Sequence, residues 1–312
     1  MTDSGNRWTM HRSRIAAFAL LGVVTAYGVY QFAGGEWRVA LESWRGRVNA
    51  LPLVLALATL DVGLEAFAAM WVYERFGIRA FDIRGALASL AIRAGLLLPA
   101  QLNRLIRPDG FVRLGRGEMT RCLEAEGATF VLDTLSVLAL MAGLVAWRWS
   151  PIAGPAVFIA VAVAGLATGR FASGWLEGTR FALPAEFWWR PSTLGIVAVE
   201  ASCWLAHGLA FWVLVRGLPG GVAAAEAILG SALASVLGAV SGAPGGVGVT
   251  DLVLGGSLHS MDVPAEHMAL AVLGFRLASF WLWIPIGWVA LVLTRREANN
   301  SSLEVAAEPE PL

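Results

Sequence analysis

The chain has 312 residues, of which 57% are apolar and only 15% charged, and its 23 acidic residues balance its 23 basic ones. A soluble globular domain carries about 25% charged residues, so this composition argues against one. The zero net charge also excludes the basic surface that nucleic-acid binding requires, and no nucleic-acid partner is expected.

Apolar stretches of about 20 residues recur along the whole length, which predicts an all-α, polytopic helical membrane protein. A transmembrane β-barrel would instead alternate in segments of about ten residues. Every basic residue is an arginine. Cys122 and Cys203 lie in or beside apolar stretches without a CxxC pairing and read as buried free thiols.

In chain order, Arg7, Arg12 and Arg14 precede a first span at Ile15–Phe32, too long for the apolar region of a cleaved signal. Trp37, Leu41, Trp44 and Val48 then share one helical face, as in a short helix lying in the membrane interface. The second span, Leu51–Tyr73, carries Asp61 and Glu65 one turn apart. Gly85–Ala100 is short, contains Arg93 and runs into a segment broken by Pro99, Pro108 and Gly110, so a re-entrant segment is predicted there. The third span is Gly127–Trp147 with Asp133 inside it, the fourth Ile152–Ala167, and the fifth Thr193–Val215 with Glu200 and His207.

Gly221–Val240, rich in small residues, enters the sequence SGAPGGVGVTD at Ser241–Asp251, whose density of Gly and Pro a straight helix does not tolerate. A second re-entrant tip is predicted there. The last span is Ala265–Leu293 with Arg276 near its middle, ended by Arg295 and Arg296. The domain reading is a cytoplasmic N-terminus over 1–14, a single membrane domain over 15–294 and a disordered cytoplasmic tail over 295–312.

Six full spans and two re-entrant segments put both termini on one side. Sixteen arginines then lie on that side and five on the other, with Arg93 and Arg276 within the membrane, so the arginine-rich side is expected to be the cytoplasm. The same layout repeats a unit of span, re-entrant segment and span in inverted orientation, an arrangement that transporters use.

The apolar spans hold Asp61, Glu65, Arg93, Asp133, Glu200, His207 and Arg276, and Asp251 closes the Gly-rich stretch. A charged side chain at mid-bilayer costs at least about 2.5–3.5 kcal/mol, so together these residues predict a polar internal cavity. The Arg276 guanidinium is suited to a bidentate phosphate contact or to a carboxylate such as Asp251 or Asp133. Glu200, Trp204 and His207 share a face and are either a proton-handling pair or an internal hydrogen-bonded histidine. The Gly-rich stretch lacks the Lys of a nucleotide-binding loop; its amides either bind an anion at a helix start or form a packing kink. Ser241 lacks the pattern of an intramembrane serine protease. The four histidines are scattered, and no metal or other cofactor is expected.

Pro244, Gly245, Gly246, Gly248 and Asp251 resemble the Pro-Gly-Gly-x-Gly-x-x-Glu signature of the lysylphosphatidylglycerol synthase transmembrane-region family, also called flippase-like membrane proteins, with Asp for Glu. Pro99 and Arg107 match an earlier segment of that family, from which Gln101, Asn103 and Arg104 depart. Asp133 matches the end of its Glu-Arg-x-x-Asp segment, where Thr129 and Phe130 replace the charged pair. Over about residues 10–295 the chain is similar to that family, and the Arg276 region resembles its last Arg-bearing helix. The resemblance implies a bacterial inner-membrane protein that moves or handles a lipid. The chain is expected to be a stand-alone member without the soluble domain that transfers aminoacyl groups in the two-part enzymes, and no enzyme activity is expected.

The sequence thus predicts a lipid flippase binding a phosphate-bearing head group through Arg276, Asp251, Gly245, Gly246, Gly248, Asp133, Arg107, Glu200 and His207. Alternatives are a small-solute or ion transporter, or a non-catalytic partner of a lipid- or glycan-synthesis enzyme.

Overall fold

The computed structural model describes residues 48–175 and 185–307, together with Glu42, Trp44 and Arg45. The expected first span, the N-terminal arginines, most of the interfacial helix and Arg180 lie outside the described residues.

Among the described residues the structure is all helical. A 3₁₀ turn at Val48–Ala50 leads into α1 (Leu51–Arg75), followed by α2 (Ile83–Leu90), α3 (Ile106–Arg113), α4 (Met119–Trp147), α5 (Ala153–Trp175), the short α6 (Ala185–Trp189) and α7 (Pro191–Val215). The chain ends with α8 (Ala224–Val240), α9 (Val249–His259), α10 (Ala265–Arg276) and α11 (Trp283–Ala307). Five stretches are long and apolar enough to cross a membrane: 48–75, 119–147, 153–175, 191–215 and 265–300. They coincide with the second to sixth expected spans.

Differences from the expected bounds have local causes. α4 begins at Met119, not Gly127, because Arg121, Glu124 and Glu126 are good helix formers that extend it past the apolar core. Pro at the first turn sets the starts of α1 and α7, where the missing N–H has no helical partner to lose. The last span is not one regular helix, since a π-helical turn at Leu277–Trp281 joins α10 to α11 directly after Arg276. The tail expected to be disordered from 295 is instead helical as far as Ala307, because no Gly or Pro interrupts the run between Arg295 and Ala307.

Both predicted re-entrant segments are helical hairpins. In the first, α2 runs in through a 3₁₀ turn at Ala91–Gly95 and reverses near Leu96–Gln101; the chain returns along α3. Asp82 caps α2 by accepting from the Gly85 N–H at 2.8 Å. α11 closes over this hairpin at Gly287, where any side chain would overlap the Arg93–Ala94 backbone. In the second hairpin α8 runs in, the Gly-rich stretch reverses the chain, and α9 returns. Gly238 permits the close packing of its two arms, since a Cβ there would strike the Thr250 hydroxyl.

Contacts between helix ends fix the relative directions. Arg75, closing α1, reaches Thr193 at the start of α7 and donates to the Phe187 carbonyl at 3.1 Å. Arg84 at the start of α2 meets Glu297 on α11 at 2.8 Å. Arg148, ending α4, lies 4.0 Å from Glu226 at the start of α8. The first hairpin therefore rises from one end of the bundle and the second from the other. Their tips touch: the Ala100 N–H donates to the Gly242 carbonyl at 3.2 Å. The order span, hairpin, span thus occurs twice in opposite senses, as α1 to α4 and as α7 to α10.

The apolar core is split. One cluster, with Val72, Phe111, Leu132 and Ile196, fills the end near Arg75. A second, with Val54, Phe211, Leu254 and Phe275, fills the opposite end. α1 and α7 cross both clusters, and their polar residues Asp61, Glu65, Glu200 and His207 fall between them.

Candidate functional site

Between the two apolar clusters, where the hairpin tips meet, lies a cavity of about 330 Å³. Its charged lining comes from Asp61 and Glu65 on α1, Arg93 and Arg104 of the first hairpin, Asp133 on α4, Glu200 and His207 on α7, and Arg276 on α10. Each charge is unaffordable alone in an apolar surrounding, and the geometry answers with pairs.

Arg93 pairs with Glu65. Arg104 Nη2 lies 2.7 Å from Asp133 Oδ2, and the Trp204 indole donates to Asp133 Oδ1 at 2.9 Å. Arg107 Nη1 donates to both oxygens of Glu126, at 3.0 and 2.9 Å, and Tyr73 donates to Oε2 of the same carboxylate at 3.1 Å. Arg276 Nε lies 3.2 Å from Asp251 Oδ1, its Nη2 donates to the Gly245 carbonyl at 2.9 Å, and its guanidinium stacks over Phe280 at 4.3 Å. His207 Nδ1 lies 3.0 Å from Asp61 Oδ2, and its Nε2 lies 3.3 Å from the Ser235 hydroxyl. Glu200 differs from all of these: it is 1% exposed, and neither carboxyl oxygen has a hydrogen-bond partner among the described residues.

The structure brings most of the expected site residues together. Arg276, Asp133, Glu200, His207, Gly245 and Gly246 line the cavity. Asp251 stands behind Arg276 and also accepts from the Gly248 N–H at 3.0 Å. Gly248 begins α9 with φ +84°, a left-handed conformation that a side chain would strain, so its part is to start the helix rather than to face the cavity. Arg107 is 1% exposed and locked onto Glu126, outside the cavity wall. The structure thus places it in a buried ion pair and not among the residues that line the cavity.

The Gly-rich turn also differs from an open nest of amides. Gly246 N–H donates to the Ala243 carbonyl at 2.9 Å, Val247 N–H to the Pro244 carbonyl at 3.1 Å, and Gly248 N–H to Asp251. These amides are already engaged. The group that the turn offers to the cavity residues is the Gly245 carbonyl, which holds Arg276.

Three participants were not legible as site residues. Glu126 sits seven residues before Asp133, on the same helical face, and that spacing was the available signal. Ser235 is one small residue among many in α8. Arg104 reads in sequence as a residue of the flanking loop, and only the reversal at Ala100 and Gln101, both with positive φ, turns it inward.

The margin of the cavity is apolar and exposed. Leu98, Phe130, Leu138 and Val240 line it while remaining 40%, 45%, 48% and 79% exposed. Among the described residues no three His, Cys, Asp or Glu side chains converge as they would around a metal ion. Comparison with protein-family models and with curated protein sequences gives no match. The long apolar helices, the hairpins that meet tip to tip and the charge-lined cavity between them make this a multi-pass membrane protein of transporter-like architecture.

Proposed function

We propose that the protein moves a lipid between the leaflets of the membrane, with the polar head group in the cavity and the acyl tails outside it. The observation that carries this reading is the combination of a charged cavity with an exposed apolar margin at Leu98, Phe130, Leu138 and Val240. A head group crossing the bilayer needs a polar path, and its tails need that path to open sideways. A carrier for a small soluble solute has no use for an apolar margin.

Arg276 is the group to meet a phosphate. It already uses its fork on a carboxylate and a carbonyl, and a phosphate would take both contacts. Because the Gly246 and Gly248 amides are engaged, recognition rests chiefly on this side chain. The resemblance to flippase-like membrane proteins supports the same reading. The end of the bundle that carries Arg75, Arg79, Arg84, Arg113, Arg116 and Arg121 would face the cytoplasm of a bacterial inner membrane.

Asp61, His207 and Ser235 stand in the order of a nucleophile relay, yet the reading remains transport without catalysis. Ser235 lies in the middle of α8, where the helix consumes the backbone N–H groups that would have to stabilise an oxyanion. The alternative of a membrane partner to a lipid- or glycan-synthesis enzyme would show as activity only in the presence of that enzyme.

The test is flipping of a head-group-labelled phospholipid in reconstituted vesicles. Arg276→Ala, and also Arg276→Lys, which keeps the charge but loses the fork, are expected to lower the rate to that of protein-free vesicles. Unchanged flipping by well-folded variants would refute the assignment.

A further inference from the structure

The cavity contains one carboxyl that the pairing scheme leaves over. Glu65, Glu126, Asp133 and Asp251 each have a guanidinium, and Asp61 has His207. Glu200 lines the same cavity, 1% exposed, with both oxygens unpartnered among the described residues. A carboxylate in that position would lack both solvent and a hydrogen-bond donor, which costs several kcal/mol. As a carboxylic acid it carries no charge to solvate.

We infer that Glu200 is an exchangeable proton-binding site, and that its loading and unloading couple the movement of the cavity's contents to a proton gradient. The coupling half of this inference rests on the transport reading above; the proton site does not.

The surroundings explain how the charge on Glu200 would be felt. α4 places Asp133 and Glu126 on this side, and α1 places Asp61 and Glu65. The first hairpin contributes Arg93, Arg104 and Arg107, and α10 contributes Arg276. α7 itself supplies His207 and Cys203, whereas α8 offers the neutral Ser235. Just before α7, Glu186 of α6 and Arg190 pair with each other. A charge on Glu200 is opposed by burial and by Asp133 and Asp61, and favoured by Arg104 and Arg107.

When Glu200 is neutral, Arg104 is held by Asp133 at 2.7 Å and Glu126 at 3.5 Å. Loss of the proton to water creates a third carboxylate competing for the same guanidinium. Arg104 sits on the return arm of the first hairpin, four residues beyond Ala100, whose N–H makes the contact between the tips. A shift of Arg104 towards Glu200 therefore pulls on the point where the hairpins meet. Protonation forms an O–H bond at a Glu200 carboxyl oxygen with a proton taken from hydronium on one side. Deprotonation breaks that bond and returns the proton to water on the other.

The experiment uses the full chain in detergent and then in vesicles of phosphatidylethanolamine and phosphatidylglycerol. In detergent at neutral pH, the infrared spectrum should contain the carbonyl stretch of a protonated carboxylic acid. That band should vanish in Glu200→Gln and persist, shifted, in Glu200→Asp. A wild-type protein without the band, or a band that Glu200→Gln leaves unchanged, overturns the proton site. In vesicles, a gradient of about one pH unit should bias the leaflet distribution of a head-group-labelled phosphatidylglycerol about tenfold if one proton accompanies one lipid, and Glu200→Gln should abolish the bias. Lipid movement in the wild type that ignores the gradient overturns the coupling and leaves the transport reading intact. A wild type that moves no lipid, yet shows the Glu200-dependent band and proton uptake by an internal pH dye, overturns the lipid reading and supports the proton site.

Discussion

Replacing Glu126 by Leu tests whether the buried Arg107 belongs to the architecture. The guanidinium of Arg107 is 1% exposed and the side chain of Glu126 only 6%, so water cannot compensate either charge when the other is removed. Stranding a buried ion in this way costs about 3–5 kcal/mol. Two contacts move the expectation in opposite directions. Glu65 Oε1 remains 3.5 Å from Arg107 Nη2 and offers partial compensation. Tyr73, on the other hand, loses the acceptor of its hydroxyl, which adds about 1–3 kcal/mol for an unsatisfied buried donor. The expected loss is therefore about 4 kcal/mol. The double variant Arg107→Met/Glu126→Leu removes both charges and refills the space with apolar atoms, and it should recover most of the loss, with Tyr73→Phe recovering more. Equilibrium unfolding in mixed micelles, followed by tryptophan fluorescence, measures the wild type, the single variants Glu126→Leu and Arg107→Met, the double variant and the triple variant. If the losses of the two single variants simply add in the double variant, Arg107 and Glu126 do not depend on each other and the architectural reading fails.

Gly245→Ala should loosen the junction of the hairpins. The residue has φ +61°, and its Cβ would strike the Phe280 ring and come within 3.1 Å of the Leu96 carbonyl oxygen, for a cost of about 1–3 kcal/mol. Gly248→Ala meets open space and bears only the backbone strain, so thermal unfolding should rank it the milder of the two. Outside the membrane, the Arg116 fork at 2.8 and 2.6 Å, helped by the Gly85 N–H, holds the Asp82 carboxyl below the usual carboxylate range. A depressed value adds stability above the unfolded pKa, near about 4, and that stability is lost as pH falls through the folded value. Acid titration of stability should therefore show a component below about pH 4 that Asp82→Asn removes.

Much of the architecture was readable because the membrane leaves few options. Backbone polar groups must be satisfied within each segment, so long apolar runs become helices, and breakers at Pro99 and at Pro244–Gly248 must lie where protein or a cavity surrounds them. The candidate site was readable for a related reason. Asp61, Asp133, Glu200, His207 and Arg276 stand out because ionisable groups are costly in apolar helices. That same cost does not say which residue will pair with which. Arg107 and Arg276 were both expected to face a ligand, yet one is sealed against Glu126 and the other lines the cavity. Nor did a Gly-rich stretch reveal that its amides would turn on themselves and present a carbonyl.

The sequence by itself determined the class of molecule, the positions of the long helices from α1 onward, the two reversals and most of the charges inside the apolar spans, because hydropathy and breaker placement are local properties. The tertiary structure alone decided that the Gly-rich turn meets the turn at Ala100, that Arg276 lies between Asp251 and Gly245, and that Glu200 is left without a partner. Those facts depend on segments far apart in the chain reaching the same depth from opposite ends of the bundle. The energy of a buried charge is set by whatever the rest of the fold brings beside it.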